Sequence, residues 1–96
     1  MRPSEVLPLH RETIRQLVLE AGMANPRVFG SVVRGEDNDE SDLDILVDPG
    51  PKTSLMDMVR VQEELAKATG VRVDLRTPGE LHPRFRGQTL AEAAYV

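Results

Sequence analysis

The spacing of apolar residues divides the chain into a short series of elements. Val6, His10, Ile14, Leu17 and Ala21 recur at intervals of three or four, with Glu12, Arg15 and Glu20 on the opposite side, which predicts an amphipathic first helix. Ser4 or Pro8 is placed to start it and Gly22 to end it. Asn25-Pro26 reads as a turn, and Arg27-Val28-Phe29 as a short strand running into Gly30. Residues 31 to 41 read as a loop that can open with one helical turn. Asp42 to Asp48 is the clearest strand, stopped by Pro49-Gly50-Pro51. Ser54 can cap a second helix with Asp57 at its N3 position. Leu55, Met58, Val59, Leu65, Ala66 and Thr69 form its apolar face, and Gly70 stops it. Val71 to Leu75 is a third strand, Pro78 opens a loop or helical turn, and a last helix is expected from about Pro83 to Ala94.

The order is therefore α-β-β-α-β-α. A helix joins the second and third strands, the connection typical of parallel neighbours, whereas a loop joins the first and second, which can be antiparallel. The expected fold class is α+β, a two-layer arrangement of a small mixed sheet packed by helices. At 96 residues the chain fits one domain, spanning 1–96.

Composition narrows the chemistry. Aromatic residues make up 3% and Trp is absent, so the core must be aliphatic; with no Cys there are no disulfides or thiolate metal sites. No apolar run approaches the roughly 20 residues of a membrane helix, and Glu5, His10, Arg11 and Glu12 interrupt any signal-peptide core, so a cytoplasmic location is expected. The net charge of −4 is unevenly spread: Glu36 to Asp48 holds seven acids and no base, and the remainder has twelve basic and nine acidic residues. Direct DNA binding is not expected from such a surface. Blocks of like charge are usually solvated, but this one runs into a strand, which fixes some of its carboxylates.

Within that block, Asp42 and Asp44 alternate with Leu43 and Ile45, so the two acids point to one side of the strand. Their Cα atoms lie about 6.6 Å apart at roughly 3.3 Å per residue, close enough for both to serve metal ions about 3.5–4 Å apart. Asp is depleted in strands, which argues against an ordinary solvent face. All-oxygen ligation favours Mg²⁺ or Mn²⁺ over zinc. A third acid is needed, and Asp74, inside Val71-Arg72-Val73-Asp74-Leu75, faces the pair if the third strand lies beside the second; a strand-end cap or a salt bridge to Arg72 or Arg76 is its competing role. Gly30 permits close backbone approach to a ligand, and the N–H groups of residues 31 to 33, with the Ser31 hydroxyl, could receive a phosphate. Arg34 could reach the same phosphate or pair with Glu36 or Asp37. A Walker A reading of Gly30-x4-Gly35 fails because Glu36 stands where lysine is required. An EF-hand reading fails because Asp42 replaces the turn glycine. His10 and His82 have no assignable chemistry.

Gly30-Ser31, Arg34-Gly35, Ser41-Asp42-Leu43-Asp44 and Val73-Asp74 together resemble the signature of the DNA polymerase β-like nucleotidyltransferases. The short length and the ending Leu90-Ala91-Glu92-Ala93-Ala94-Tyr95-Val96 are similar to the minimal nucleotidyltransferase (MNT) branch, whose members are commonly antitoxins paired with a helical HEPN-domain toxin. The resemblance implies that Asp42, Asp44 and Asp74 are catalytic and bind two Mg²⁺ ions, with Mn²⁺ as a substitute, and that Gly30, Ser31 and Arg34 bind the nucleotide. It implies ATP as donor and transfer of AMP to a protein hydroxyl, a tyrosine of the HEPN toxin, with which the chain would form a hetero-oligomer. Two alternatives stay open: a non-catalytic antitoxin that masks its toxin, for which exposed apolar residues such as Met56 or Val61 would be suited, and a nucleotidyltransferase acting on RNA or a small molecule. Larger relatives use a second domain to hold the acceptor or base, so a partner chain is expected to supply those contacts here.

Overall fold

The computed structural model describes residues 1–96. Its elements are α1 (Pro3–Glu20), β1 (Ala24–Phe29), α2 (Ser31–Arg34), β2 (Leu43–Asp48), α3 (Leu55–Thr69), β3 (Val73–Arg76), a 3-10 turn at Pro78–Glu80, α4 (Pro83–Glu92) and β4 (Ala94–Tyr95). The four strands form one mixed sheet in the order β3-β2-β1-β4, with β2 parallel to β3 and antiparallel to β1, as the connections predict.

The core lies between one face of this sheet and the helices α1 and α3. Leu43, Ile45 and Val47 alternate along β2 and are fully buried, packed with Val28, Val73 and Leu75 of the neighbouring strands. Ile14 and Val18 of α1 and Val61 and Leu65 of α3 meet them, all fully buried. Leu46 is buried too but lies outside this cluster, on the other face.

Ser54 and Asp57 close α3 with reciprocal bonds, Ser54 Oγ accepting the Asp57 N–H at 3.1 Å and the Asp57 carboxylate accepting the Ser54 N–H at 2.9 Å. The helix's buried stripe is Met58, Val61, Leu65 and Thr69. This corrects the apolar face read from the sequence: Leu55 and Val59 are exposed, and Val61, expected at an exposed flank, is fully buried. Leu55 continues the stripe one turn beyond what the sheet covers. Met56 is exposed, as expected.

Three further boundaries differ. The first helix starts at Pro3 and takes in Pro8, whose missing N–H accompanies a non-helical His10 at φ −126°. Asn25-Pro26 is not a turn but an interruption inside β1: Ala24 pairs with Asp48 and Arg27 with Leu46, so β1 carries one extra residue there, and Asn25 has φ 54°. Proline is tolerated at such a bulge because no ladder N–H is demanded of it. At the C-terminus the last helix stops at Glu92, and Ala94 and Tyr95 pair with Val28 and Arg27 instead. The unpaired edge of β1 offers those backbone groups partners that continued helix would not.

Candidate active site

Because Leu43 and Ile45 are committed to the core, Asp44 falls on the opposite, open face of the sheet, and Asp42 precedes the strand on the same side. The parallel pairing sets Asp44 directly beside Asp74, as Leu43 is set beside Val73. The strand spacing is about 4.8 Å, so the two acids are lateral neighbours. The sequence-predicted acids are thus collected on one patch from two strands some thirty residues apart.

They do not, however, point their oxygens at a common centre. No three Asp, Glu or His side chains are gathered closely enough to hold a metal ion as they stand. Asp42 Oδ1 forms an ion pair with Arg72, 2.9 Å from its Nε, and both Asp74 oxygens accept from Arg76 Nε at 3.1 Å. The salt bridge foreseen for Asp74 therefore forms with Arg76, while Arg72 turns to Asp42 and also donates to the Glu40 carbonyl. Asp44 is left without an ion-pair partner among the salt bridges of the molecule.

The Asp44 carboxyl is pushed up to about 6 by burial first, then by the Asp74 and Asp42 charges, against the opposing pull of Arg76 and Arg34. An all-carboxylate patch whose middle member has no ion-pair partner fits a hard divalent cation. Asp42, Asp44 and Asp74 would hold it.

Gly30 closes the site from the β1 side. It caps α2 at φ 73° and ψ −146°, a region essentially reserved for glycine. A Cβ at this position would collide with Asp44 Oδ2 and lie 3.2 Å from its Cγ. The backbone of the Gly30-Ser31 turn therefore rests against the central acid. Ser31 opens α2, the helical turn anticipated after Gly30. Arg34 is occupied: its Nε donates to Glu36 at 3.1 Å and a terminal nitrogen lies 3.8 Å from Glu92, so of its two foreseen roles the carboxylate pairing is the one formed.

A shallow cleft of about 250 Å³ adjoins Asp74, walled by Leu55, Met58 and Val59 of α3 and by Leu75 and Arg76. Gln62 reaches across this edge and accepts the Leu75 N–H at 2.9 Å. A larger hollow of about 510 Å³ is lined by Asp39, Glu40, Ser41 and Arg72 but by none of the three acids.

Some residues acquired roles that spacing did not indicate. Asp37 is buried and accepts the Ser4 N–H at 2.9 Å, tying the acidic loop to the first turn of α1. Burial raises its pKa, but the Ser4 contact outweighs that and leaves it below the ordinary range. His82 caps α4, its Nδ1 accepting the Arg84 N–H at 3.1 Å. A Pro following His82 at the N1 position was the available signal.

Comparison with known proteins is consistent with this geometry. The family model described as the nucleotidyltransferase domain matches residues 8–96. Protein adenylyltransferase MntA of Thermococcus cleftensis is 36% identical over 91 residues, covering 95% of this chain and 89% of the relative. The solved structure of a candidate minimal nucleotidyltransferase superposes with a TM-score of 0.86 at 41% identity, covering 97% of this chain and 95% of that one. The fold is also that of a chain in a solved structure of a tri-AMPylated Shewanella oneidensis HEPN toxin in complex with MNT antitoxin. There the TM-score is 0.68 at 19% identity, with 92% of this chain and 69% of that chain covered.

Proposed function

The chain belongs to the nucleotidyltransferase domain family and is a nucleotidyltransferase, and from that premise we propose that it transfers AMP from ATP to a hydroxyl of a partner protein, a tyrosine of a HEPN toxin, and so acts as an antitoxin. The observation that carries this reading is the register that sets Asp44 beside Asp74 on the open face, with Gly30 against Asp44. The adenylyl donor and the protein acceptor are supported by the MntA relative, and the HEPN partner by the Shewanella complex of the same fold. Residues 1–96 would act as one minimal domain, in the cytoplasm where ATP is available.

In this reading Asp42, Asp44 and Asp74 hold Mg²⁺, or Mn²⁺ in its place, and Gly30, Ser31 and Arg34 hold the nucleotide. Bound divalent ions would neutralise the triphosphate and favour the ionised acceptor hydroxyl. The acceptor oxygen attacks the α-phosphorus, the bond to the bridging oxygen of the β-phosphate breaks, and pyrophosphate leaves with the electron pair. Asp74, at the rim beside the cleft, accepts the hydroxyl proton. Arg34 must leave Glu36 to meet a phosphate, a small cost because both groups are exposed.

The test is incubation with labelled ATP, Mg²⁺ and the candidate toxin. Label should appear on the toxin and vanish with Asp42→Asn and Asp44→Asn. Asp74→Asn should lose transfer yet keep nucleotide binding; wild-type rates in that variant would remove Asp74 from the mechanism. Exposed Leu55, Met56 and Val59 beside the cleft favour one second reading, neutralisation by binding alone. Tight complex formation without label would select it.

A further inference from the structure

We infer that Arg72 and Arg76 are exchangeable counterions of the acidic patch, positioning residues that hold Asp42 and Asp74 until a divalent cation displaces them. The inference rests on the reading of Asp42, Asp44 and Asp74 as metal ligands. Asp74 and Arg76 alternate along β3 and so share one side of the strand, and Arg72 immediately precedes it. Each arginine takes one outer acid. Arg76 Nε sits between the two oxygens of Asp74 at 3.1 Å from each, so the carboxylate has no oxygen free of it. Arg72 Nε takes Asp42 at 2.9 Å while its terminal nitrogen holds the Glu40 carbonyl, which ties the acidic loop to the same lock. Asp44, between them, has no such partner and is the acid a cation can meet first.

The pairs are built to be given up. The Arg76 side chain is 45% exposed and Arg72 71%, and exposed ion pairs are weak. A doubly charged ion can replace a single guanidinium on each carboxylate, and it relieves Asp44 at the same time. The displaced guanidiniums remain beside the patch, where a triphosphate would supply new partners for them. Without the arginines, three carboxylates would face one another uncompensated in the metal-free protein. With them, two of the three charges are offset, and metal binding becomes a competition.

A competition has a measurable sign. Mn²⁺ titrated calorimetrically into the nucleotide-free protein should bind Arg76→Gln about 1.5- to fivefold more tightly than wild type, a range set by the weakness of an exposed pair. Arg72→Gln should show a smaller gain, because Arg72 is more exposed. Arg76→Lys keeps the charge but not the guanidinium plane, and should fall between wild type and Arg76→Gln. Arg60→Gln removes an equal charge from the ion pairs that Arg60 makes with Asp57 and Glu64 on α3 and should leave the affinity near wild type. Unchanged or weaker Mn²⁺ binding by Arg76→Gln, in a protein whose melting temperature is preserved, overturns the inference, as does an equal gain in Arg60→Gln. If wild type and Arg76→Gln both bind no Mn²⁺, the underlying metal-site reading falls and this inference with it; wild-type binding that Arg76→Gln leaves unaltered removes the counterion role alone.

Discussion

Gly30 is fixed by two independent demands, and they can be separated. Its backbone occupies a conformation that other residues reach only with strain, and its missing side chain leaves room for the Asp44 carboxylate. Gly22 meets only the first demand: its φ is 78°, but nothing lies within 4 Å of where a Cβ would stand. Gly22→Ala should therefore cost about 1–2 kcal/mol of stability and leave AMP transfer intact. Gly30→Ala should cost at least as much and reduce transfer by more than tenfold, because Asp44 must move. Chemical denaturation and a transfer assay on the two variants check this; equal activity in both would mean that Asp44 tolerates displacement. At this scale the sequence was informative where alternation alone decides direction. Asp42 and Asp44 had to share a side once Leu43 and Ile45 were assigned to the core. It was less informative about partners. That Arg72 meets Asp42 depends on the register of β2 against β3, and no local spacing encodes that. Arg76 was foreseen for Asp74, but Arg72 crosses to Asp42.

Elements were legible in kind and less so in phase and extent. The three longer helices and the three longer strands lie near where the sequence pattern put them, α2 is the single helical turn allowed at the start of the loop, and the Ser54-to-Gly70 helix has both predicted ends. Its face was misread because Leu55 and Val59 satisfy the same helical pattern as the buried stripe, and only the extent of the sheet decides which apolar residues are covered. This makes a direct comparison of one residue type possible. Leu65→Ala, at a fully buried position, should lower stability by about 2–5 kcal/mol. Leu55→Ala, 79% exposed, should change it by less than about 0.5 kcal/mol. Urea unfolding of both variants measures the difference, and comparable losses would mean that the helix is rotated from the phase described. The β1 bulge and the β4 pairing escaped the sequence for a related reason. Asn-Pro is a strong local turn signal, yet the flanking Ala24 and Arg27 both have strand partners. A two-residue strand such as β4 has no periodicity to read at all.

For the molecule as a whole, the acidic patch on the open face is a local cost set against the aliphatic core on the other. The Asp44 carboxyl titrates near 6 in the folded chain against a usual value of 3.8. A raised carboxyl binds its proton more tightly in the folded state than in the unfolded one. Its stabilising contribution is therefore complete below pH 3.8 and is lost as pH rises through about 6. Two pKa units correspond to about 3 kcal/mol as an upper bound. The patch is partly solvated, so about 1–2 kcal/mol is the expected share. Asp44→Asn stays neutral throughout and escapes this loss. In metal-free buffer at pH 8 it should melt above wild type by roughly 4–16 °C, at about 4–8 °C per kcal/mol for a domain of this size. Near pH 4 the two proteins should converge. Calorimetric melts across that range would test it, and a constant offset at both ends would place the origin of any stabilisation elsewhere than in Asp44 ionisation. The expected crossover has a functional reading as well. The charge that lowers stability at neutral pH is the one that a divalent cation would meet, so the variant that gains stability is also the one expected to lose transfer.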